Sequence, residues 1–253
     1  MGIVQGLIAS LKTASASYDS DAQAFFTGAG ITDTTQKNAY NTLVTGIKSQ
    51  GYYSKIKYLK PYLGGTASQH GYNAINTTLY ESIYEGTLTH DANGVTGNGI
   101  DGGISTEYYA NDFTTTNCSM GVYVRSYTPI GGLSVFMLDA NSCGFYYYTL
   151  YGGTIGAVTD RILTTTGTQT GFIALNLESP TLSLYIAGTN IASGSSTAPS
   201  WNPPFIVIGN SSVGVYSNTN ICFEYFADSL TSSEIIDFST RVQTFQTALG
   251  RQV

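Results

Sequence analysis

Tryptophan occurs once in these 253 residues, cysteine three times, and only 10% of the chain is charged. Cys118, Cys143 and Cys222 form no close pair and sit in strand-like sequence, so zinc-type ligand spacing is excluded. Buried thiols are the first reading of them, and one disulfide with an odd thiol is the second. No apolar run approaches the length of a membrane span, and Met1-Gly2-Ile3-Val4-Gln5-Gly6-Leu7-Ile8 lacks the basic start of a secretory signal. Gly6 stands where a myristoylation motif needs Ser or Thr. No membrane insertion is expected. The net charge of −6 offers nucleic acid no counterion-release term, so that partner is not expected either. There is no Gly-x-Ser-x-Gly elbow and no Gly-x-x-x-x-Gly-Lys phosphate loop, and Gly97-Asn-Gly-Ile-Asp-Gly-Gly103 fits a β-turn better.

Tyrosine and glycine are abundant instead, at 20 and 29 residues, which favours strands joined by tight turns and suits a packed or oligomeric surface. All six lysines (Lys12, Lys37, Lys48, Lys55, Lys57, Lys60) lie in the first sixty residues, opposed there only by Asp19, Asp21 and Asp33. That part is therefore +3 and the remainder −9. The asymmetry marks either a solvated helical face or a basic docking surface.

The first fifty residues carry helical spacing. Ile3, Val4, Leu7, Ile8 and Leu11 form an amphipathic segment too short to stand alone, which predicts a docking surface for it. A short helix is predicted from Asp21 to about Phe26. Asp33 with Gln36 caps a longer one, with Ala39, Tyr40, Leu43, Val44 and Ile47 on one face and Gly51 at its end. From about Tyr72 the period becomes two. Gly121 to Ser126, Leu133 to Leu138, Gly144 to Leu150, Gly171 to Leu177, Thr181 to Ala187, Phe205 to Gly209 and Ile221 to Phe226 read as short strands. Helical crossovers are missing between them, which predicts an antiparallel sandwich of jelly-roll type.

In Cys222-Phe-Glu-Tyr-Phe226, alternation places Cys222, Glu224 and Phe226 on one face and Phe223 and Tyr225 on the other. Thr231 and Glu234 then form a capping box for a last helix, whose Ile235, Phe238, Val242, Phe245 and Leu249 make one apolar stripe. The predicted layout is a helical docking segment over 1–60, a sandwich over 61–230 and a C-terminal helix over 231–253. The last stripe and the Ala39 to Ile47 face are expected to share one helical base on the outside of the sandwich.

The order of the hairpin at Thr181 to Gly194, the strand Pro204-Phe-Ile-Val-Ile-Gly-Asn210 and the aromatic strand ending in Leu230-Thr-Ser-Ser-Glu234 resembles the concanavalin A-like lectin/glucanase (laminin G-like) jelly roll, over about residues 72–240. A narrower resemblance spans nearly the whole chain. Ile31-Thr-Asp-Thr-Thr-Gln-Lys37, Tyr62-Leu-Gly-Gly-Thr-Ala-Ser68, Leu88-Thr-His-Asp-Ala-Asn-Gly94, Gly97-Asn-Gly99 and Val242-Gln-Thr-Phe-Gln-Thr-Ala-Leu-Gly-Arg-Gln-Val253 look like a family of tailed-phage and prophage virion proteins. Tyr52-Tyr53 stands where that family leads one to expect a tryptophan. The resemblance implies a non-enzymatic structural protein of the particle (capsid decoration, head fibre or tail-associated), made in the bacterial host cytoplasm and assembled into the virion. Other virion proteins and further copies of itself would be its partners; no cofactor and no catalytic residue is carried over.

Glycosidases of the jelly-roll group carry a Glu-x-Asp-x-x-Glu run, absent here. Glu81 and Glu85 would stand about 13 Å apart along a strand, whereas a retaining pair needs about 5 Å. His70 and His90, the two histidines, read as hydrogen-bonded loop residues rather than catalytic bases. Asp91, Asn93, Asp101 and Asp112 supply oxygens in one region and are the calcium candidates, without EF-hand spacing; a solvated acidic loop is the plainer reading. Trp201 and the run Tyr146, Tyr147, Tyr148 are the candidate contacts for a host-surface glycan or a protein partner, with core or intersubunit packing as the alternative. A carbohydrate-binding module is thus the second functional expectation, and a glycoside hydrolase the third.

Overall fold

The structure, a computed structural model, describes residues 17–113, 117–126, 135–138, 144–147, 150–152, 162–163, 170–195, 204–210, 214–228 and 230–253. Helices α1 (Ser20–Gly28) and α2 (Thr34–Ser49) come first, then strand β1 (Ile56–Lys60), the short helix α3 (Ala67–Gly71), and strands β2 (Ile83–Glu85), β3 (Leu88–Asp91), β4 (Gly94–Gly97) and β5 (Gly103–Tyr109). Next are β6 (Cys118–Ser126), β7 (Val135–Leu138), β8 (Gly144–Tyr147), β9 (Leu150–Gly152), β10 (Ile162–Leu163), β11 (Gly171–Glu178), β12 (Thr181–Ile186), β13 (Thr189–Ser195) and β14 (Pro204–Val207). The pair β15 (Gly209–Asn210) and β16 (Val215–Tyr216) precedes the long strand β17 (Asn220–Asp228) and helix α4 (Ser232–Ala248).

The helix starts follow the local chemistry. Asp33 accepts from the Gln36 N–H at 2.8 Å, and Thr231 and Glu234 form the reciprocal capping box. Gly51 and Gly250, both at positive φ, follow the ends of α2 and α4, where a left-handed residue releases the chain from the helix. Ala39, Tyr40, Leu43, Val44 and Ile47 are the buried residues of α2. Ile235, Phe238, Val242 and Phe245 are buried along α4, with Leu249 packed beside them.

The strands form an antiparallel sandwich. One sheet has the order β13-β12-β11-β6-β17-β4-β3, with β1 also on β17; the other runs β10-β9-β8-β7-β14-β5-β2. The strands β1 and β4 share one side of β17, β4 against Asn220 and Ile221 and β1 against Glu224 to Ala227. Met120, Val122, Leu175, Phe205, Val207 and Phe226 fill the space between the sheets. Tyr123, Phe172, Phe223 and Tyr225 point the other way, into a second core with Phe25, Tyr40, Leu43, Phe238 and Phe245 of the helices. The first sheet is thus the middle of three layers. All nine positions of β17 are buried as a result, which is why this strand carries aromatics on both faces.

Two expectations change. The helical reading of the N-terminal part ends early, because Ile56–Lys60 is a strand paired to β17; its lysines hide the apolar alternation. The register of β17 also shifts between Ile221 and Phe223. That bulge turns Cys222 away from Glu224 and Phe226 to the helix side, where its thiol donates to Gln246 Oε1 at 3.3 Å. Cys118 and Cys222 are buried free thiols, and Cys143 lies outside the described residues.

The lysine-rich start meets acidic partners within the fold. Lys48 pairs with Asp19 and Asp21, Lys55 with Glu234 and Lys57 with Asp228, at 2.5 to 3.1 Å, and Lys60 is buried. Much of the positive excess is taken up inside the molecule rather than displayed as a basic surface.

Candidate functional site: a buried polar knot

Lys60 of β1 and Glu224 of β17 face each other in register, and both are fully buried. The Lys60 ammonium donates to the Gly71 carbonyl at the end of α3 and to Ser82 Oγ, and lies 5.4 Å from the centre of the Tyr58 ring. Tyr58 donates its hydroxyl to Glu224 Oε1 at 2.5 Å, while Glu224 Oε2 has no hydrogen-bond partner among the described residues. Burial pushes the Lys60 ammonium down to about 7 against the pull of Glu224, and raises the Glu224 carboxyl against the pull of Lys60 and Tyr58.

The cluster continues toward the surface. Tyr62 packs edge-on to His70 at 5.3 Å, and His70 Nδ1 stands 3.0 Å from His90 Nδ1, so that one ring donates and the other accepts. His90 in turn packs on Tyr84 at 4.6 Å. Burial, then His90, Arg251 and Lys60, hold the His70 imidazole down to about 3; burial alone lowers His90. On the far side, Arg251 is 1% exposed and is held by oxygens, with no carboxylate in ion-pair contact among the described residues. It donates to Gln246 Oε1 at 2.9 Å and to the carbonyls of Tyr62, Pro61 and Cys222 at 3.0, 3.1 and 3.4 Å.

Perturbed ionisable groups gathered in this way mark a candidate site. Here, though, the three that would serve as acid, base or nucleophile, Lys60, Glu224 and His70, are each at most 1% exposed, and only His90 and Tyr84 reach partway to solvent. What the arrangement does is cross-link β1, β17, α3, β3 and the C-terminus. Four of the stretches that carry the virion-family resemblance meet here. Tyr62, His90, Gln246 and Arg251 belong to three of them, and Gln36 of the fourth accepts from the Gly64 N–H at 2.8 Å. The fifth, at Gly97 to Gly99, donates to the carbonyls of Thr219 and Ser217 just ahead of β17.

The residues singled out in the sequence fall elsewhere. Trp201, Tyr148 and Ile3, Val4, Leu7, Ile8 and Leu11 lie outside the described residues. Tyr146 and Tyr147 occupy β8 in the second sheet, opposite Tyr151 and Leu150 of β9. The calcium candidates are engaged separately: Asp91 turns to the Asn93 N–H, Asp101 ahead of β5 takes the Thr87 N–H and the Asn98 amide, and Asp112 takes the N–H of Tyr109 at the far end of β5. No group of three or more His, Cys, Asp or Glu suited to a metal ion occurs among the described residues. Glu81 and Glu85 are exposed around β2. His70 and His90 are not loop residues but members of α3 and β3. Lys60 and Glu224 are not among the site candidates that the sequence suggests; the signal for them is a charge inside each of two largely apolar strands.

No protein-family model matches the sequence, and no curated protein matches it either. Among solved structures, Trypanosoma rangeli sialidase in complex with sialic acid is similar at 14% identity and a TM-score of 0.55, covering 77% of this chain and 33% of that one. A mutant of the same sialidase displaying trans-sialidase activity gives 15% identity and a TM-score of 0.55, over 90% of this chain and 39% of the other. Domain 4 of AbnA, a GH43 extracellular arabinanase from Geobacillus stearothermophilus, in complex with arabinotriose, matches at 14% identity and a TM-score of 0.49 over 73% of this chain and 98% of that one. This chain spans about a third of the length of the sialidase chains it resembles. At such identities the likeness is one of fold.

Proposed function

We propose that this chain is a non-enzymatic structural protein of a tailed-phage particle, with its sandwich displayed at the particle surface. The observation that supports this is the convergence of the family-like stretches, scattered from Ile31 to Val253, on the polar knot and the start of β17. These contacts hold helices, sandwich and terminus together, as a component of a rigid particle requires. The burial of Lys60, Glu224 and His70 agrees with a role in cohesion rather than turnover. Purified particles from the strain that encodes the chain provide the test: it should co-sediment with them in a fixed ratio to the major shell protein. Chain found free in the lysate and missing from particles sinks the proposal.

Carbohydrate recognition is the second reading. It is favoured by the fold shared with a sialidase described with bound sialic acid, and by the second sheet, against which no helix among the described residues forms a core. There Ile83 of β2 and Ile206 of β14 flank Ser105 of β5 in register, with Ile83 53% exposed. A glycan array is the direct check. Retention that disappears in Trp201→Ala or Tyr147→Ala at unchanged melting temperature supports it, and no retention of any glycan removes it.

A further inference from the structure

We infer that Glu107, on the face of the second sheet turned away from the middle sheet, is the centre of a binding site for an uncharged sugar unit, held by the Glu107 carboxylate and the Tyr109 ring. The site rests on the carbohydrate reading of the chain, to which it adds the binding residues and the class of sugar. Burial alternates along β5: Ile104, Thr106 and Tyr108 are buried, while Ser105, Glu107 and Tyr109 are partly exposed. Ile104 and Tyr108 belong to the core between the sheets, so the other three turn to the opposite face. Ile83 and Ile206 flank Ser105 in register and Pro204 stands opposite Tyr109, which gives the carboxylate an apolar surround.

The backbone singles out Glu107. Between Ser105 and Tyr109 β5 takes four steps, while β14 takes two from Ile206 to Pro204, so β5 carries a bulge there. Glu107 sits in that bulge at φ 56°, in the left-handed region that side chains rarely adopt and glycine adopts freely. Strained positions of this kind gather at binding sites. The carboxylate is also oriented. Ser105 Oγ donates to Glu107 Oε1 at 2.6 Å, and the Tyr109 hydroxyl is raised by partial burial and then by the Glu107 charge beside it. A carboxylate offers about four acceptor sites, so neighbouring sugar hydroxyls can donate to those that remain, while the Tyr109 ring supplies a flat apolar face. Charge sets the class of sugar. Residues 61–124 and 162–240, which supply β2, β5 and β14, contain no Lys or Arg. Glu85 stands opposite Gly103 at one end of β5, and Asp112 accepts from the Tyr109 N–H at 2.7 Å at the other. An acidic sugar would meet carboxylates here without a cation to pair with; an uncharged one brings only hydroxyls and an apolar ring face.

The test is an array of uncharged and sialylated oligosaccharides probed with the full chain. Uncharged glycans should be retained, and Glu107→Gln and Tyr109→Ala should each weaken retention by about tenfold or more, as expected when a charged acceptor or a stacking ring is lost. Retention that both variants keep and Trp201→Ala abolishes overturns this site and leaves the carbohydrate reading standing. Binding confined to sialylated glycans overturns the class of sugar, and no retention of any glycan removes site and reading together. Glu107→Gly gives a readout that needs no ligand. Its melting temperature should hold or rise, because glycine relieves the backbone at φ 56°. A clear fall would show that Glu107 is kept for the fold, and would overturn the inference.

Discussion

Lys60 and Glu224 are charged side chains in strands whose other positions are buried and largely apolar, and each makes the other tolerable. Removing one takes away an opposing charge that the other feels, while Lys60 keeps Gly71 and Ser82 and Glu224 keeps Tyr58; an under-compensated buried group of this kind costs about 1–3 kcal/mol. Lys60→Met and Glu224→Leu should therefore each lower the urea midpoint strongly, while the double variant should lose much less than the sum. Additive losses would show that the two do not interact. The histidines give a pH signature. His70 takes its proton near pH 3 when folded and near 6.5 when unfolded, and His90 is shifted the same way. Between those values the unfolded chain binds the proton and the folded chain does not, so stability is present above about pH 6.5 and is lost as pH falls toward 3. Glu224, whose folded value is raised, works in the opposite sense above about 4.5. The comparison of variants isolates the histidines: His70→Gln should flatten the slope of stability against pH between 6.5 and 4.5, as read from urea midpoints. An unchanged slope contradicts the buried neutral pair.

At the scale of elements, much was legible in the sequence. The caps at Asp33 and Thr231 and the buried faces of α2 and α4 rest on local spacing, which a single chain displays directly. The bulge at Cys222 and the strand Ile56–Lys60 did not show, because each is settled by a partner strand far away in sequence, β6 for the bulge and β17 for the strand. The polar knot is not legible for the same reason: its members come from six separate segments, and only the fold makes them neighbours. Gly121 is a further case. It lies in β6 between Ala174 of β11 and Tyr225 of β17, and a Cβ there would stand 2.4 Å from the Ile173 carbonyl and 2.8 Å from the Tyr225 ring. Gly121→Ala should therefore destabilise the middle sheet by about 1–3 kcal/mol through overpacking, seen as a lower melting temperature. No loss would mean that the two central strands are free to separate.

Across the whole molecule, the segment that follows α2 and the C-terminal helix close on each other. Lys55 reaches Glu234, Tyr52 reaches Asp237, and Arg251 fastens the terminus to Pro61 and Tyr62. Exposed pairs of this kind contribute little singly, but Arg251 is buried and its planar fork serves three carbonyls and Gln246. Arg251→Lys keeps the charge and loses that geometry. It should lower stability by about 2 kcal/mol or more, as expected for buried polar groups left unpaired, and should raise hydrogen exchange in the Pro61 and Tyr62 region. The middle sheet is enclosed between the helices and the second sheet, and no helix among the described residues forms a core with the second sheet. The most direct measurement of the proposed role is a reconstruction of the phage particle. Sandwich-shaped density is expected at symmetry-related positions on head or tail, with the helical layer toward the particle and the sheet from β10 to β2 facing out. A particle without that density, or with the helical layer outermost, would contradict it.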